Sequence, residues 1–354
     1  MTPPPSRRLA DVAKKVGVSE ATVSRVLNGK PGVSDSTREA VLAALDVLGY
    51  ERPTQLRGAR ARLIGLFVPE LQNPIFPALA EVVSAALAQR GFTPVLCTSI
   101  DNGLSEADYV DMLLEQQVSG VVFGGGQYAE QAAPHEHYHL LRERGIPVVL
   151  FNAAIENLDF PTVATDDMTA CGQAFTHLAS LGHQRIGLLV GPEDHVPSRR
   201  KLAEFRSLTG GLADGVASGP GGQYGGLAGG LQAAPVEHTL FSLEGGRAAA
   251  SRLLRQSVTG IICASDVLAL GAILAARRAG LSVPGDVSVV GYDDSAFMNC
   301  TDPPLTTVRQ PIEAMGRAVV ALLVSQIESA ARPAEELLFE PELVVRGSTG
   351  PAPA

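Results

Sequence analysis

Residues 20–28, EATVSRVLN, set two kinds of side chain on opposite sides of a short helix. Val23, Val26 and Leu27 fall on one side; Thr22, Ser24, Arg25 and Asn28 fall on the other. A helix that only fills a core needs no such polar face. Hydroxyls, an amide and a guanidinium in this arrangement can donate to phosphate oxygens and base edges. The plainer reading is the solvated face of an ordinary three-helix bundle. A second group of polar residues stands where apolar runs end. Asn152 ends PVVLFN, Ser265 and Asp266 end GIICAS, Asp293 ends SVVGYD, and Asn73 lies just after LIGLFVP with Phe76 near it. Carboxylates and amides there can take the paired hydroxyls or ring nitrogens of a small polar ligand, and an aromatic can cover an apolar face. The plainer reading of Asp293 is an aspartate capping the loop after a strand.

Other chemistries find little support. There is no G-x-S-x-G, no H-E-x-x-H and no evident nucleophile–base pair. His135, His137 and His139 recur in HEHYH, but without a third ligand they read as a solvated helix start and not a metal site. GGQYGGLAGG neither follows a strand nor opens a helix as a dinucleotide loop must. Cys97, Cys171, Cys263 and Cys300 form no CxxC and read as buried thiols in a reducing compartment. No apolar run reaches the 18 or so residues of a membrane span, and the N-terminus lacks an apolar signal core, so a cytoplasmic protein is expected. The net charge of −9 is uneven. Residues 1–62 hold 11 Lys/Arg and 6 Asp/Glu, a net of +5, and the remainder hold 17 and 31, a net of −14. A basic head on an acidic body suggests that the head meets a polyanion.

The elements that position these residues follow from periodicity. Leu9, Val12, Ala13 and Val16 mark one face of a first helix. Ser19 can cap the second, about 20–28. Ser34 or Ser36 can cap a third, about 35–48, and Ser36 with Glu39 fits a capping box. Val41, Leu42, Leu45 and Leu48 form its apolar stripe. The result is a small bundle with a helix–turn–helix at its front. Residues 51–62 are a basic linker. From Leu63 onward, short apolar runs (63–69, 93–98, 120–125, 147–152, 185–191, 260–265, 287–294) alternate with helical stretches. Strands buried on both faces and separated by helices indicate an α/β body with parallel doubly wound sheets, and its length indicates two lobes. Ligands in such sheets sit beyond the carboxyl ends of the strands, which two lobes can turn toward one cleft. Residues 209–234, with ten glycines, read as a surface loop, and EPELVVRGST as a last strand.

RLADVAKKVGVS, EATVSRVLNG, VSDSTREAV and LGY resemble the lac-repressor/galactose-repressor family of bacterial transcription regulators. The resemblance continues through IGLFVPELQNPIF, LGHQRIGLLVGP, SDVLALGA, VPGDVSVVGYDD and PPLTTVRQP, over about residues 8–348. It implies a homodimer on a pseudo-palindromic operator and a periplasmic-binding-protein-like body that binds a small effector, often a sugar or nucleobase, with no cofactor. The implied domains are a helix–turn–helix head at 1–50, a hinge at 51–62 and an effector domain at 63–348. One lobe would comprise 63–164 and 295–310 with the following helix to about 336, the other 165–294 and 337–348. Glu20 and Ala21 match base-reading positions, and Arg25 can reach a guanine edge. Thr22, Ser24, Asn28, Ser34 and Thr37 match positions at phosphates, and Ser19 stands with them among the expected DNA-binding residues. Leu56 matches a hinge leucine that wedges into the minor groove, with Arg57 beside it. This chain has about three residues fewer than usual before it, so a basic linker touching phosphates is an equal alternative.

In the body, Asp293 matches an effector-binding aspartate. Lys201, in KLAEF, stands where the family has an arginine and offers a point charge with no planar fork; Arg199 or Arg200 could compensate. Phe241 stands where relatives place an aromatic against the effector, and Gln310, in VRQP, lies near a lobe crossover. With Asn73, Phe76, Asn152 and Ser265 these make the expected effector site. The expected function is a DNA-binding repressor governed by a small effector, not an enzyme. The rivals are a small-molecule-binding or catalytic α/β protein with a DNA-tethering head, and an architectural DNA-binding protein with a degenerate cleft.

Overall fold

The computed structural model describes residues 5–27, 32–47, 62–98, 103–154, 159–210, 234–329 and 336–353. Asn28, Leu56, Arg57 and most of the glycine-rich stretch lie outside them. The chain divides into two compact units, Met1–Leu63 with Gly91–Thr93, and Ile64–Arg90 with Pro94–Ala354.

The first unit holds three helices, α1 (Pro5–Val16), α2 (Glu20–Leu27) and α3 (Asp35–Val47). Val12, Ala13, Val23, Val26, Val41 and Ala44 form its core, with Val16, Val18, Leu27 and Val33 against it. Gly17 (φ +75°) gives the left-handed turn that ends α1, where its N–H returns to the Ala13 carbonyl at 2.9 Å. Ser19 Oγ accepts the Thr22 N–H at 3.1 Å and caps α2. Ser34 does the same for α3, taking the Thr37 N–H at 3.3 Å. The Ser36–Glu39 box is therefore not used, because α3 begins at Asp35 and Ser36 is already inside its first turn.

The second unit carries two six-stranded sheets. The strands in chain order are β1 (Leu63–Val68), β2 (Thr93–Thr98), β3 (Gly120–Phe123), β4 (Val148–Phe151), β5 (Thr162–Thr165), β6 (Ile186–Val190), β7 (Val236–His238), β8 (Gly260–Cys263), β9 (Ser288–Asp293), β10 (Thr306–Arg309), β11 (Glu336–Phe339) and β12 (Glu342–Val344). The first sheet runs β11-β5-β4-β3-β1-β2 and the second β12-β10-β9-β8-β6-β7. Registered neighbours are parallel except β10 with β12. β3, β4, β6 and β8 are buried throughout, which explains their unbroken apolar character, and β5 is buried with a threonine at each end.

The helices between them are α4 (Ile75–Gln89), α5 (Glu106–Glu115), α6 (Glu136–Glu143), α7 (Asp167–Ser180), α8 (Val196–Leu208), α9 (Leu243–Arg255), α10 (Asp266–Arg278) and α11 (Ile312–Ser329). α11 packs on α4 and on β3, β4 and β5, so it covers the first sheet.

The lobe assignment of the late segments differs from expectation. Residues 295–310 do not join the first lobe, because β10 pairs in register with β9, and the Thr307 hydroxyl donates to Asp266 of the second lobe at 2.6 Å. Residues 337–339 do not join the second, because β11 extends the first sheet beside β5. The chain thus crosses between lobes at 165–167, 309–312 and 339–342.

Two smaller expectations also fail. His137 is buried, and its Nε2 lies 2.8 Å from Glu106 Oε1, so HEHYH is not simply a solvated helix start. Cys97, Cys171 and Cys263 are buried, but Cys300 is exposed.

Candidate functional site

The carboxyl ends of the strands of both lobes open on one cavity of about 860 Å³. Asn73, Phe76 and Asn152 line it from the first lobe, and Lys201, Phe241, Ser265, Asp293 and Gln310 from the second. Asn73, Asn152, Ser265 and Asp293 are placed by turns that end a strand or begin a helix, while Lys201 stands inside α8. Asn73 Oδ1 takes the Ile75 N–H at 3.4 Å at the start of α4. Asn152 follows β4 at φ +68°, a left-handed conformation that asparagine tolerates, and its N–H reaches the Val163 carbonyl at 2.8 Å. Ser265 caps α10 through the Leu268 N–H at 3.2 Å. Asp293 closes β9 at φ +118° and accepts from Gln310 Nε2 at 2.7 Å, while Gln310 Oε1 accepts the Thr165 hydroxyl at 2.8 Å. Thr165 and Gln310 stand on two of the crossovers, so this chain of bonds ties a cavity-lining carboxylate to the lobe connections.

Lys201 is buried and forms an ion pair with Asp167, the first residue of α7. Its ammonium lies 3.9 Å from the centroid of the Tyr292 ring, whose hydroxyl sits 3.4 Å from Asp167 Oδ1. The expected compensation by neighbouring arginines is absent. Arg200 pairs with Glu336 at 2.8 Å, Arg199 bonds the Gln131 side chain, and neither lines the cavity. Burial pushes the Asp293 carboxyl well up from the usual carboxylate range, with the Asp266 charge adding to it. Asp266, buried beside β9, is pushed up to about 7 by burial against the hydrogen bonds it accepts. No side chain fits at Gly291, where a Cβ would stand 2.4 Å from Asp266 Oδ1.

Sequence reasoning missed Asp167, Tyr292, His195 and Glu130, all of which line the cavity. Asp167 comes soon after the short strand TVAT, whose two threonines leave no apolar run for the strand-end rule to act on. His195, at the start of α8, is pushed down to about 4 by burial and by the nearby Lys201 charge; it packs edge-on against Phe241 at 5.2 Å and shares a hydrogen bond with Ser198 at 2.9 Å. Glu130 and His195 form a backbone bridge between the lobes, and the Gln131 N–H adds a bond to the Asp194 carbonyl at 3.3 Å.

In the first unit, Ser19, Glu20, Ala21 and Arg25 are exposed, and Thr22 and Ser24 are half-buried. The Ser19 and Thr22 hydroxyls are 2.9 Å apart, and those of Ser34 and Thr37 are 2.8 Å apart. The same hydroxyl pair therefore stands at the start of both α2 and α3. Val23 and Val26 are buried on the other side of α2, which frees its outer face to meet another surface.

Residues 8–53 match the pattern described as bacterial regulatory proteins, lacI family. Residues 61–210 match that of periplasmic binding proteins and the sugar-binding domain of the LacI family, and residues 175–349 a periplasmic binding protein-like domain. The HTH-type transcriptional regulator MalR of Streptomyces coelicolor is 50% identical over 347 residues, 98% of this chain and 97% of the relative. The chain belongs to the lacI family of bacterial regulatory proteins.

This LacI-family chain is a DNA-binding transcriptional regulator with an effector-binding domain of periplasmic-binding-protein type. The HTH-type transcriptional repressor CytR of Escherichia coli K12 is 31% identical over 350 residues, 98% of this chain and 97% of the relative. Among solved structures, the transcriptional regulator CelR–cellobiose complex aligns with a TM-score of 0.68 and 32% identity, over 96% of this chain and 99% of that one. The lac repressor dimer bound to operator and the anti-inducer ONPF aligns with a TM-score of 0.69 and 28% identity, over 97% and 98%. Among the described residues, no helix of the regulator is long and apolar enough to cross a membrane.

Proposed function

We propose that this regulator is a homodimeric repressor that grips a two-fold symmetric operator with α2 of each head and responds to a sugar bound between its lobes. The observation that carries this reading is the cavity, where eight polar and aromatic residues from both lobes converge. Its volume of about 860 Å³ lies near the top of the roughly 300–1,000 Å³ range of small-molecule sites, which suits a disaccharide or larger. The solved relative with cellobiose supports the same class.

Asp293, Asn152, Asn73 and Gln310 accept from and donate to ring hydroxyls, and Phe76 and Phe241 cover apolar ring faces. Ser265 and Lys201 complete the wall. A ligand that contacts both lobes binds one lobe angle more tightly than another, and shifts the balance by that difference in affinity. The lac repressor dimer on its operator supports transmission to paired heads. On DNA, Arg25 reads a guanine edge, Glu20 and Ala21 read its neighbours, and Ser19, Thr22, Ser24, Asn28, Ser34 and Thr37 hold phosphates. Leu56 and Arg57 meet the operator centre. The regulator works where the chromosome is, in the cytoplasm.

Selection of full-length protein against a randomised pseudo-palindromic DNA pool, with cellobiose and other disaccharides then added to the recovered site, tests this. A symmetric consensus whose affinity a disaccharide changes is the expected outcome. Salt-sensitive binding with no consensus refutes the operator reading.

A further inference from the structure

The HEHYH run, residues 135–139, is tied to the cavity by a cluster that the effector site does not include. Glu106, in the first turn of α5, is buried together with His137, Tyr138 and Tyr128. Its carboxylate accepts from three donors: His137 Nε2 at 2.8 Å and the Tyr138 hydroxyl on Oε1, and the Gln127 N–H on Oε2 at 3.3 Å. The Tyr138 hydroxyl in turn accepts the Tyr128 N–H at 2.9 Å. The Tyr128 hydroxyl is shared between the carbonyls of Phe123 and Phe151, the last residues of β3 and β4. Burial, with the Glu106 charge adding to it, pushes both tyrosine hydroxyls up, so they stay protonated and donate. His135, just before α6, brings its Nε2 to 3.1 Å from both the Gln127 and the Glu130 carbonyls.

These bonds converge on one loop. Gly124, Gly125, Gly126, Tyr128, Ala129 and Glu130 line the cavity, whereas Glu106, His137 and Tyr138 do not. A Cβ at Gly126, where φ is +140°, would collide with Glu106 Oε2, so the carboxylate seats itself directly on the loop backbone. Further along, the same loop reaches the second lobe. Glu130 bridges His195, the Gln131 N–H meets the Asp194 carbonyl at 3.3 Å, and the Gln131 side chain accepts from Arg199.

Resting on the reading of the cleft as the effector site, we infer that Glu106, His137, Tyr138 and Tyr128 are positioning residues, which fix the 124–131 loop as a wall of the cavity and as a latch between the lobes. Glu106, His137 and Tyr138 act through the loop and stand outside the cavity. A buried network with every member bonded is rigid, and the loop takes its rigidity from it. The latch favours one lobe arrangement, so an effector that binds that arrangement best gains affinity from it. Removing one member leaves a buried donor or acceptor unpaired, which frees the loop by about tenfold.

Hydrogen exchange followed by mass spectrometry on the full-length protein tests this with Tyr138→Phe, which keeps the ring and removes the hydroxyl between Glu106 and the Tyr128 N–H. Amides of 127–131, and those of 194–199 on the other lobe, are expected to exchange about tenfold faster, with β8 unchanged. A hydroxyl that only stabilised its own lobe would not move 194–199, so faster exchange confined to the first lobe overturns the inference, as does no change at all. Tyr128→Phe, which loses its bonds to Phe123 and Phe151, is expected to give the same pattern, and it decides the matter where circular dichroism shows Tyr138→Phe unfolded. Titration calorimetry with cellobiose, maltose and trehalose adds the effector. The sugar that binds the wild type best is expected to bind Tyr138→Phe about tenfold more weakly. Equal affinity overturns the inference and leaves the sugar reading standing. If none of these sugars binds the wild type, the sugar reading falls, and the exchange pattern alone decides the inference.

Discussion

Replacing Asp167 by Ala strands the Lys201 ammonium. Both side chains are almost wholly buried, so water replaces the carboxylate poorly, and what remains beside the charge is the face of Tyr292. Removing one partner of a buried pair costs about 3–5 kcal/mol, and a cation–π contact of about 1–2 kcal/mol does not offset that. With a urea slope of roughly 2–3 kcal/mol/M, the midpoint falls by about 1–2 M. Lys201→Met costs less, about 1–3 kcal/mol, because the abandoned carboxyl can take a proton, which burial already favours. The double substitution Asp167→Ala with Lys201→Met leaves no buried charge and is therefore less damaging than the sum of its parts. Urea unfolding of the four proteins, followed by far-ultraviolet circular dichroism, measures the cycle. Two single variants each within about 1 kcal/mol of wild type would refute the reasoning, since a buried charge without a partner cannot be that cheap.

Three further outcomes are expected. His195 is held down to about 4, so its contribution to stability is complete above about 6.5 and is lost as pH falls toward 4, where the unfolded chain takes up a proton that the folded one refuses; His195→Gln flattens that part of the stability–pH curve, and an unchanged difference between pH 7 and 5 would count against it. Arg25→Ala weakens binding to the selected operator by about 1–3 kcal/mol and loosens preference at one base pair; an equal loss on random DNA in a filter-binding assay would remove its base-reading role. Ser19→Ala and Ser34→Ala each cost the head about 1 kcal/mol through a lost cap, seen as faster amide exchange in α2 and α3, and unaltered exchange would mean that the caps contribute nothing.

The cleft was legible where a simple rule holds. A parallel strand buried on both faces reads as an apolar run, and the polar residue that ends it marks the carboxyl end. Asn73, Asn152, Ser265 and Asp293 are legible this way, and the fold brings them to one cavity. Lys201, Phe241 and Gln310 came from resemblance, since nothing in their own neighbourhoods points at a ligand. Asp167 was hidden because its partner lies 34 residues away and the pairing exists only once α7 packs on α8. The lobe membership of TTVR and ELLF was misread because both follow the same pattern. Only their neighbours, β9 and β5, decide which sheet each one joins. The choice of Ser34 over Ser36 is a shift of two residues in helix start, a difference that composition does not carry.

The interleaving of late segments bears on how the chain is made. The first sheet takes its last strand from residues 336–339, the helix that covers it from 312–329, and the second sheet its last strand from 342–344. During synthesis, β1 to β5 leave the ribosome long before α11 arrives to cover them. Between those moments the whole second lobe up to β10 is translated, at roughly 5–20 residues per second. Neither lobe can finish before most of the other has been made. The apolar face awaiting α11 is a natural client for a holding chaperone.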